Sequence, residues 1–223
     1  KMLNEYEKND LKKYEESVTK HFKKKLRENR NPIFVINLSS DVHKMTDTLI
    51  SSVKKKGVRF GCENGCSHCC NLRVESFAPE IFYIAKQLKS KMKSSELDIL
   101  ISKLTDYSDK AKNLKADQHF LPCIFLDNGK CSIYNFRPAT CRKYNSLDAE
   151  ICKEPFGSVP ESSEIFLKGQ LLFRSFMYSV AQRKMRADTH ELGQSLLIAL
   201  TDSSAEKRWS SGERVFPLLP EAI

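Results

Sequence analysis

All eight cysteines of this 223-residue chain fall between Cys62 and Cys152, in two groups separated by a long cysteine-free stretch. The first group is Cys62-Glu-Asn-Gly-Cys66-Ser-His-Cys69-Cys70; the second is spread over Cys123, Cys131, Cys141 and Cys152. Apolar burial gives no reason to crowd four thiols into a polar loop, so the fold has to serve these side chains. A chain of this size with 40% hydrophobic residues buries enough core to fold without disulfides. The charged start, Lys1 to Arg30, lacks the apolar middle of a secretory signal, and no apolar run approaches the roughly 18 residues of a membrane span. The expectation is a soluble, cytoplasmic chain with no membrane partner. In a reducing compartment, clustered cysteines act as metal ligands or reactive thiols.

Cys66-x2-Cys69 has the spacing of a metal knuckle, in which two intervening residues let the backbone turn and aim both sulfurs at one ion. Gly65 is placed to relieve that turn with a positive φ. Adjacent Cys69 and Cys70 point in different directions, so they are expected to serve different metals, or one of them to stand behind the other. In the second group, Cys123 to Tyr134 reads as a hairpin turning at Asp127-Asn128-Gly129. A two-residue loop would oppose Leu126 to Cys131 and, by alternation, put Cys123 on the other face. A three-residue loop would put Cys123 and Cys131 on one face, so shared ligation predicts the longer loop.

The remainder has helical periodicity. Tyr14, Val18 and Phe22 recur within Leu11 to Leu26, a basic amphipathic helix ended by Asn31-Pro32. A short apolar stretch follows, Ile33 to Ile36. Ser39-Ser40-Asp41 offers an N-cap for a helix carrying Val42, Met45, Leu49, Ile50 and Val53, with Gly57 just past its end. Pro79 opens another helix, Ser95 with Asp98 resembles a capping box for a third, and two more patterns run over 161–185 and 189–200. Trp209 and Phe216 anchor the C-terminal segment. The predicted fold is mainly α, a single helical domain with a small β-hairpin and irregular cysteine-rich loops at a metal site. Residues 1–30 form a basic N-terminal helix, and 31–223 form the helical cysteine-cluster domain.

Before residue 61 there are fifteen Lys and Arg against eight Asp and Glu, so most of the formal +9 lies ahead of the first cysteine. That helix either attracts a polyanion such as nucleic acid or presents a solvated face while it packs on the body. His190-Glu191 begins like a zincin helix, but residue 194 is Gln, which removes the second histidine ligand. No glycine-rich phosphate loop or G-x-S-x-G elbow occurs.

The combined pattern Cys62-x3-Cys66-x2-Cys69-Cys70, Val74, Pro79-Glu80, then Cys123-x7-Cys131-Ser-Ile-Tyr-x2-Arg137-Pro138-x2-Cys141-Arg142 resembles the YkgJ or CxxCxxCC family of zinc- or iron-chelating proteins. The resemblance is firm over 62–142, and Cys152 fits as an eighth cysteine. It implies a metal centre. Because the family includes a flagellin lysine N-methylase, it also implies protein lysine methylation as one activity, with a protein substrate.

Eight thiolates can fill two four-coordinate zinc sites, one iron–sulfur cluster with spare thiols, or a bridged multinuclear centre. The expectation leans to an iron–sulfur centre in the cell, with zinc ion occupying the same thiolates after aerobic overproduction. Eight thiolates around two divalent ions would leave a negative charge for donors to offset. His68, Arg137, Arg142, Tyr144 and free N–H groups near Pro138 are the candidates. No catalytic residue is assigned. Cys62-x3-Cys66-x2-Cys69 coincides with the spacing in radical S-adenosylmethionine enzymes, with His68 where an aromatic often stands, but the chain lacks their repeated strand–helix units. Three functions follow: a metal-binding protein with a structural centre, an enzyme using that centre, or a nucleic-acid or partner-binding module with structural zinc.

Overall fold

The computed structural model describes residues 4–62, 65–154 and 156–220. It is mainly helical. Helix α1 (Glu5–Glu28) is longer than the periodicity implied because Asn4 and Glu7 cap it reciprocally, each side chain accepting the other's backbone N–H at 2.8 Å. The chain breaks at Asn29, and Asn31-Pro32 does more than end the helix. The Asn31 side chain accepts the Ile33 N–H, and Pro32 opens α2 (Pro32–Asn37), so the apolar stretch is a helical turn. Helix α3 (Ser39–Lys55) follows directly, with Leu38 at the N-cap position in place of a serine, and Gly57 takes φ +89° beyond its end.

Strand β1 (Glu75–Phe77) leads into α4 (Ala78–Lys91), with Pro79 in its first turn. In α5 (Ser94–Ala111) the capping contact lies two residues earlier than predicted: Glu96 accepts the Lys93 N–H at 2.7 Å. Next come β2 (Leu126–Asp127), β3 (Lys130–Cys131) and the short α6 (Ala139–Lys143). Helix α7 (Ser163–Ala181) starts at the Ser162 cap. The predicted helix from residue 189 divides: β4 (Thr189–Glu191) pairs antiparallel with β1, Glu75 opposite Glu191, and α8 (Leu192–Thr201) begins only afterwards. Helix α9 (Ala205–Ser210) closes the order. Three-residue strands leave too little alternation to be seen in a sequence.

Phe22, Phe77 and Phe176 form the centre of the core, with ring centroids 4.9 and 5.1 Å apart along α1–α7–β1. Ile81, Ile84 and Leu88 of α4 and Leu196 of α8 are fully or nearly fully buried. Trp209 and Phe216 pack on Phe82 at 5.4 and 5.1 Å, as expected of C-terminal anchors. Each such aromatic contributes on the order of 2–3 kcal/mol by burial alone.

α1 lies on α7 through Val18, Phe22 and Leu26. Lys168 of α7 completes the contact by donating to Asp10 at 2.8 Å and to Glu164 at 2.9 Å. The hydrogen bond from Lys168 holds the Asp10 carboxyl below its ordinary range. Burial opposes ionisation of Glu164, but Lys56 and Lys168 outweigh it and its pKa is lowered too. Burial also opposes the Lys168 ammonium, which its two carboxylate partners nevertheless raise. Lowered acids stabilise above their unfolded pKa and lose that contribution as pH falls through the folded value; a raised lysine loses it as pH rises through its own. The bridge therefore acts between about pH 4 and pH 10 and, being partly solvated, contributes at most about 1 kcal/mol. Lys168→Met should lower stability by that amount at neutral pH and leave it unchanged below about pH 3, as read by urea unfolding at both pH values.

Candidate metal centre

The two cysteine groups meet because the backbone after the first pairs with the backbone before the second. Cys70 O accepts the Cys123 N–H at 2.8 Å and Asn71 O accepts the Leu121 N–H at 3.0 Å, flanking a bridge between Leu72 and Phe120. On the other side, Gly61 donates its N–H to Ser146 O at 2.8 Å, and Ser146 N–H donates to Cys62 Sγ at 3.3 Å. Gly61 is needed there: a Cβ would lie 2.5 Å from Ala149 N. Its only sequence signal was a glycine abutting the first cysteine. Gly65 has φ +92°, the left-handed turn expected of it.

None of the eight cysteines is in a disulfide; Cys62 is exposed and the others are half-buried. Their mutual electrostatic reach draws them into two overlapping sets. Cys62 feels Cys66 and Cys152, while Cys69 feels Cys70 and Cys141 ahead of Cys62. Cys70, Cys123, Cys131 and Cys141 act on one another. The sets adjoin at the Cys69–Cys70 pair, whose thiols share a hydrogen bond. Among the described residues, no three His, Cys, Asp or Glu side chains stand together in ligating geometry. The thiols are gathered into one region without converging on a common point.

The electrostatics fit a thiolate centre. The Cys69 hydrogen bond pulls the Cys70 thiol down to about 7 against the effect of burial, with help from the Arg137 charge, while Cys69 as donor, itself buried, is pushed up. Burial raises Cys62, Cys131 and Cys141, and raises Cys123 to about 11. Most of these sulfurs are thiols until a cation displaces the proton. Arg137 stacks on Tyr134 at 3.8 Å and its charge reaches Cys70 and Cys131. Its Nε is buried with no hydrogen-bond partner among the described residues. An orphaned donor beside two sulfurs is what a metal thiolate set would satisfy.

Several expected neighbours have other employment. Arg142 donates to Arg137 O, Asn135 O and Asp47 Oδ2 at 3.1, 2.6 and 2.7 Å, so it fixes the turn ahead of α6 and ties it to α3; only its charge reaches Cys131. The N–H groups near Pro138 are not free, since Ala139 N–H goes to Glu80 and Arg142 N–H to Pro138 O. Tyr144 does stand by the first set: burial and the charges of Cys69 and Cys152 push its hydroxyl up to about 12. The His68 carbonyl accepts from Asn71 Nδ2 at 3.3 Å, which shapes the turn holding Cys69 and Cys70. His190 and Glu191 have nothing of a zincin: His190 Nδ1 lies 2.8 Å from Pro217 O, and Glu191 caps α8 through the Gly193 and Gln194 N–H groups.

The hairpin carries the two-residue loop. Leu126 opposes Cys131, with Asn128 at φ 48° and Gly129 at φ 75°. This corrects the expectation of the longer loop. Alternation never reaches Cys123, because Leu126 N–H donates to Cys123 O at 2.9 Å and bends residues 123–126 into a turn.

A cavity of about 320 Å³ opens beside the cluster. Cys69 and Cys141 reach its wall, Tyr144 and Thr140 stand next to them, and Phe173 and Met177 of α7 make the apolar side.

A buried carboxylate that periodicity alone does not reveal sets the position of Cys141. Glu80 is fully buried and accepts from three elements: His43 Nε2 of α3 at 2.6 Å, the Ser76 hydroxyl of β1, and Ala139 N–H at 2.7 Å. The last is an unpaired donor at the start of α6, the helix that carries Cys141. Glu80→Ala strands three buried donors and should cost about 3–5 kcal/mol, with Glu80→Gln losing less, as measured by chemical denaturation.

Residues 61–162 match the model of the CxxCxxCC family, described as a putative zinc- or iron-chelating domain. No curated protein and no solved structure matches the chain. The matched span contains all eight cysteines, the hairpin and Glu80, the elements from which the gathered thiols are built. Over residues 61–162 the chain is thus similar to CxxCxxCC domains.

Proposed function

We propose that the eight cysteines bind zinc or iron as two adjoining four-thiolate sets, Cys62, Cys66, Cys69 and Cys152 in one and Cys70, Cys123, Cys131 and Cys141 in the other. The observation that carries this reading is the gathering of the two cysteine groups by backbone bonds, Cys123 N–H to Cys70 O and Ser146 N–H to Cys62 Sγ, beside the orphaned Arg137 Nε. The donor set is all sulfur, which suits zinc and iron–sulfur chemistry and excludes hard cations such as calcium or magnesium. Arg137, the Ser146 N–H and Tyr144 orient and neutralise the sulfurs. Eight unpaired thiols belong in a reducing compartment, so the reading places the chain in the cytoplasm. Residues 31–220 then act as one helical body around the centre, with α1 docked on it.

Metal and acid-labile sulfide per chain, measured on protein purified without oxygen, test this directly. Zinc alone would give about two ions per chain; iron with matching sulfide and visible colour would give a cluster instead. Cys66→Ser and Cys131→Ser should each remove about half of the zinc, or all of a cluster, and lower the melting temperature in step, because metal affinity is linked to folding. Full metal content in both variants defeats the model.

The cavity favours a second reading, in which the centre acts on a substrate. A void of this size suits a small ligand. A closed structural zinc keeps no open position, whereas a working centre does. Cyanide added to the cobalt-substituted protein should shift its visible spectrum if a position faces the cavity, and Met177→Trp, which fills the cavity, should suppress the shift. A spectrum indifferent to cyanide leaves only the structural centre.

A further inference from the structure

α1 spends its apolar stripe on α7: Val18, Phe22 and Leu26 are at most 2% exposed. That orientation turns its cationic face along the open side of the same helix pair, where the two helices border a groove of about 1100 Å³. Seven Lys or Arg side chains line the groove, against Glu15 and Glu16. Arg174 pairs with Glu15, so these two cancel. Lys20, Lys24 and Arg27 of α1 are exposed, and Arg183 joins them from beyond the end of α7. Among the described residues these four form no ion pair. Cations of α1 and of the segment that follows α7 therefore converge on one concave surface, where the sequence had shown one basic helix.

We infer that this groove binds the phosphate backbone of a single-stranded nucleic acid. From Lys12 to Arg27 the basic face rises about 22 Å along the helix, enough for several successive phosphates. A string of evenly spaced anions is the partner that matches a linear row of cations. Tyr178, 48% exposed, sits among the cations, and its face is open enough to take the Lys23 ammonium at 4.8 Å. A half-exposed ring inside a cationic groove is the arrangement on which bases stack. A membrane surface fits less well. A helix that lies in a bilayer interface inserts its apolar face, and here that face is already buried in the core. The floor is polar and ordered: Ser175 Oγ accepts from Thr19 at 2.9 Å, and Ser179 donates to Ser175 O at 2.7 Å.

The inference does not depend on the metal reading, and its test separates them. Fluorescence anisotropy of labelled oligothymidylate with the full metal-loaded chain should show binding that weakens steeply with salt. The triple variant Lys20→Gln, Lys24→Gln, Arg27→Gln should lower affinity about tenfold or more and reduce the magnitude of the log–log salt slope by about 2, the value for three lost single-strand phosphate contacts. Lys103→Gln, Lys110→Gln, Lys112→Gln makes the same change in net charge on and just after α5 and should leave affinity and slope unchanged. Tyr178→Ala should cost about tenfold through lost stacking. Metal content should be unchanged in all three variants. Absence of binding at low salt overturns the inference. Equal loss in the control triple shows a net-charge effect and overturns it too, as does binding to phosphatidylserine vesicles that oligothymidylate fails to compete.

Discussion

The Glu80 carboxylate is the point at which the helical body and the cysteine site become one structure. It lies without solvent contact between α3, β1 and α6, and each of those elements contributes a donor to it. A buried carboxylate tolerates displacement badly, because any donor that moves away leaves charge uncompensated in a medium that screens little. Its geometry is therefore stiff, and the first residue of α6 inherits that stiffness. Two residues further on is Cys141, so one sulfur is fixed to the core, while Cys62 is held by the Ser146 N–H from the segment between α6 and α7.

Glu191 repeats the device on the other side of the site. It caps α8, takes the Tyr107 hydroxyl at 3.0 Å, and through that hydroxyl connects to His119 Nε2 at 3.1 Å. Tyr107 in turn fits only because residue 193 is glycine, since a Cβ there would lie 2.3 Å from the ring. His119 sits just ahead of Cys123, so the second cysteine group hangs between two buried acids, Glu80 behind Cys141 and Glu191 behind Cys123. Burial raises the pKa of both thiols, and each acid adds a smaller push in the same direction. The scaffold thus favours the protonated thiols until a cation supplies compensating charge.

Much of this architecture was legible from the residues. Helical spacing located α1, α3, α4, α5 and the body of α7, and Gly57 and Gly65 announced their positive φ. Spacing also located the hairpin and offered its true loop as one of two choices. The short strands were not legible, because three residues at 75–77 and 189–191 carry no period, and their pairing depends on a partner more than a hundred residues away. The same pairing explains why His190-Glu191 resembled the start of a metal-binding helix. Glu191 stands just ahead of the helix, where an acidic side chain caps it, and a cap and a ligand motif are written with the same residue types.

The division of the cysteines shows where local rules stop. Strand alternation assigned Cys123 and Cys131 to opposite faces, and it would be right if both were in extended backbone. Residues 123–126 instead form a turn, and the bond from Cys123 N–H to Cys70 O, a tertiary contact, decides where that sulfur goes. Vicinal Cys69 and Cys70 do not diverge as their adjacency suggests: the short helical turn that carries them lets the two thiols share a hydrogen bond. Cys69 and Cys141 both reach the wall of the cavity, between β1, α6 and α7. A ligand in it would meet these two sulfurs from the side that the packed core leaves uncovered.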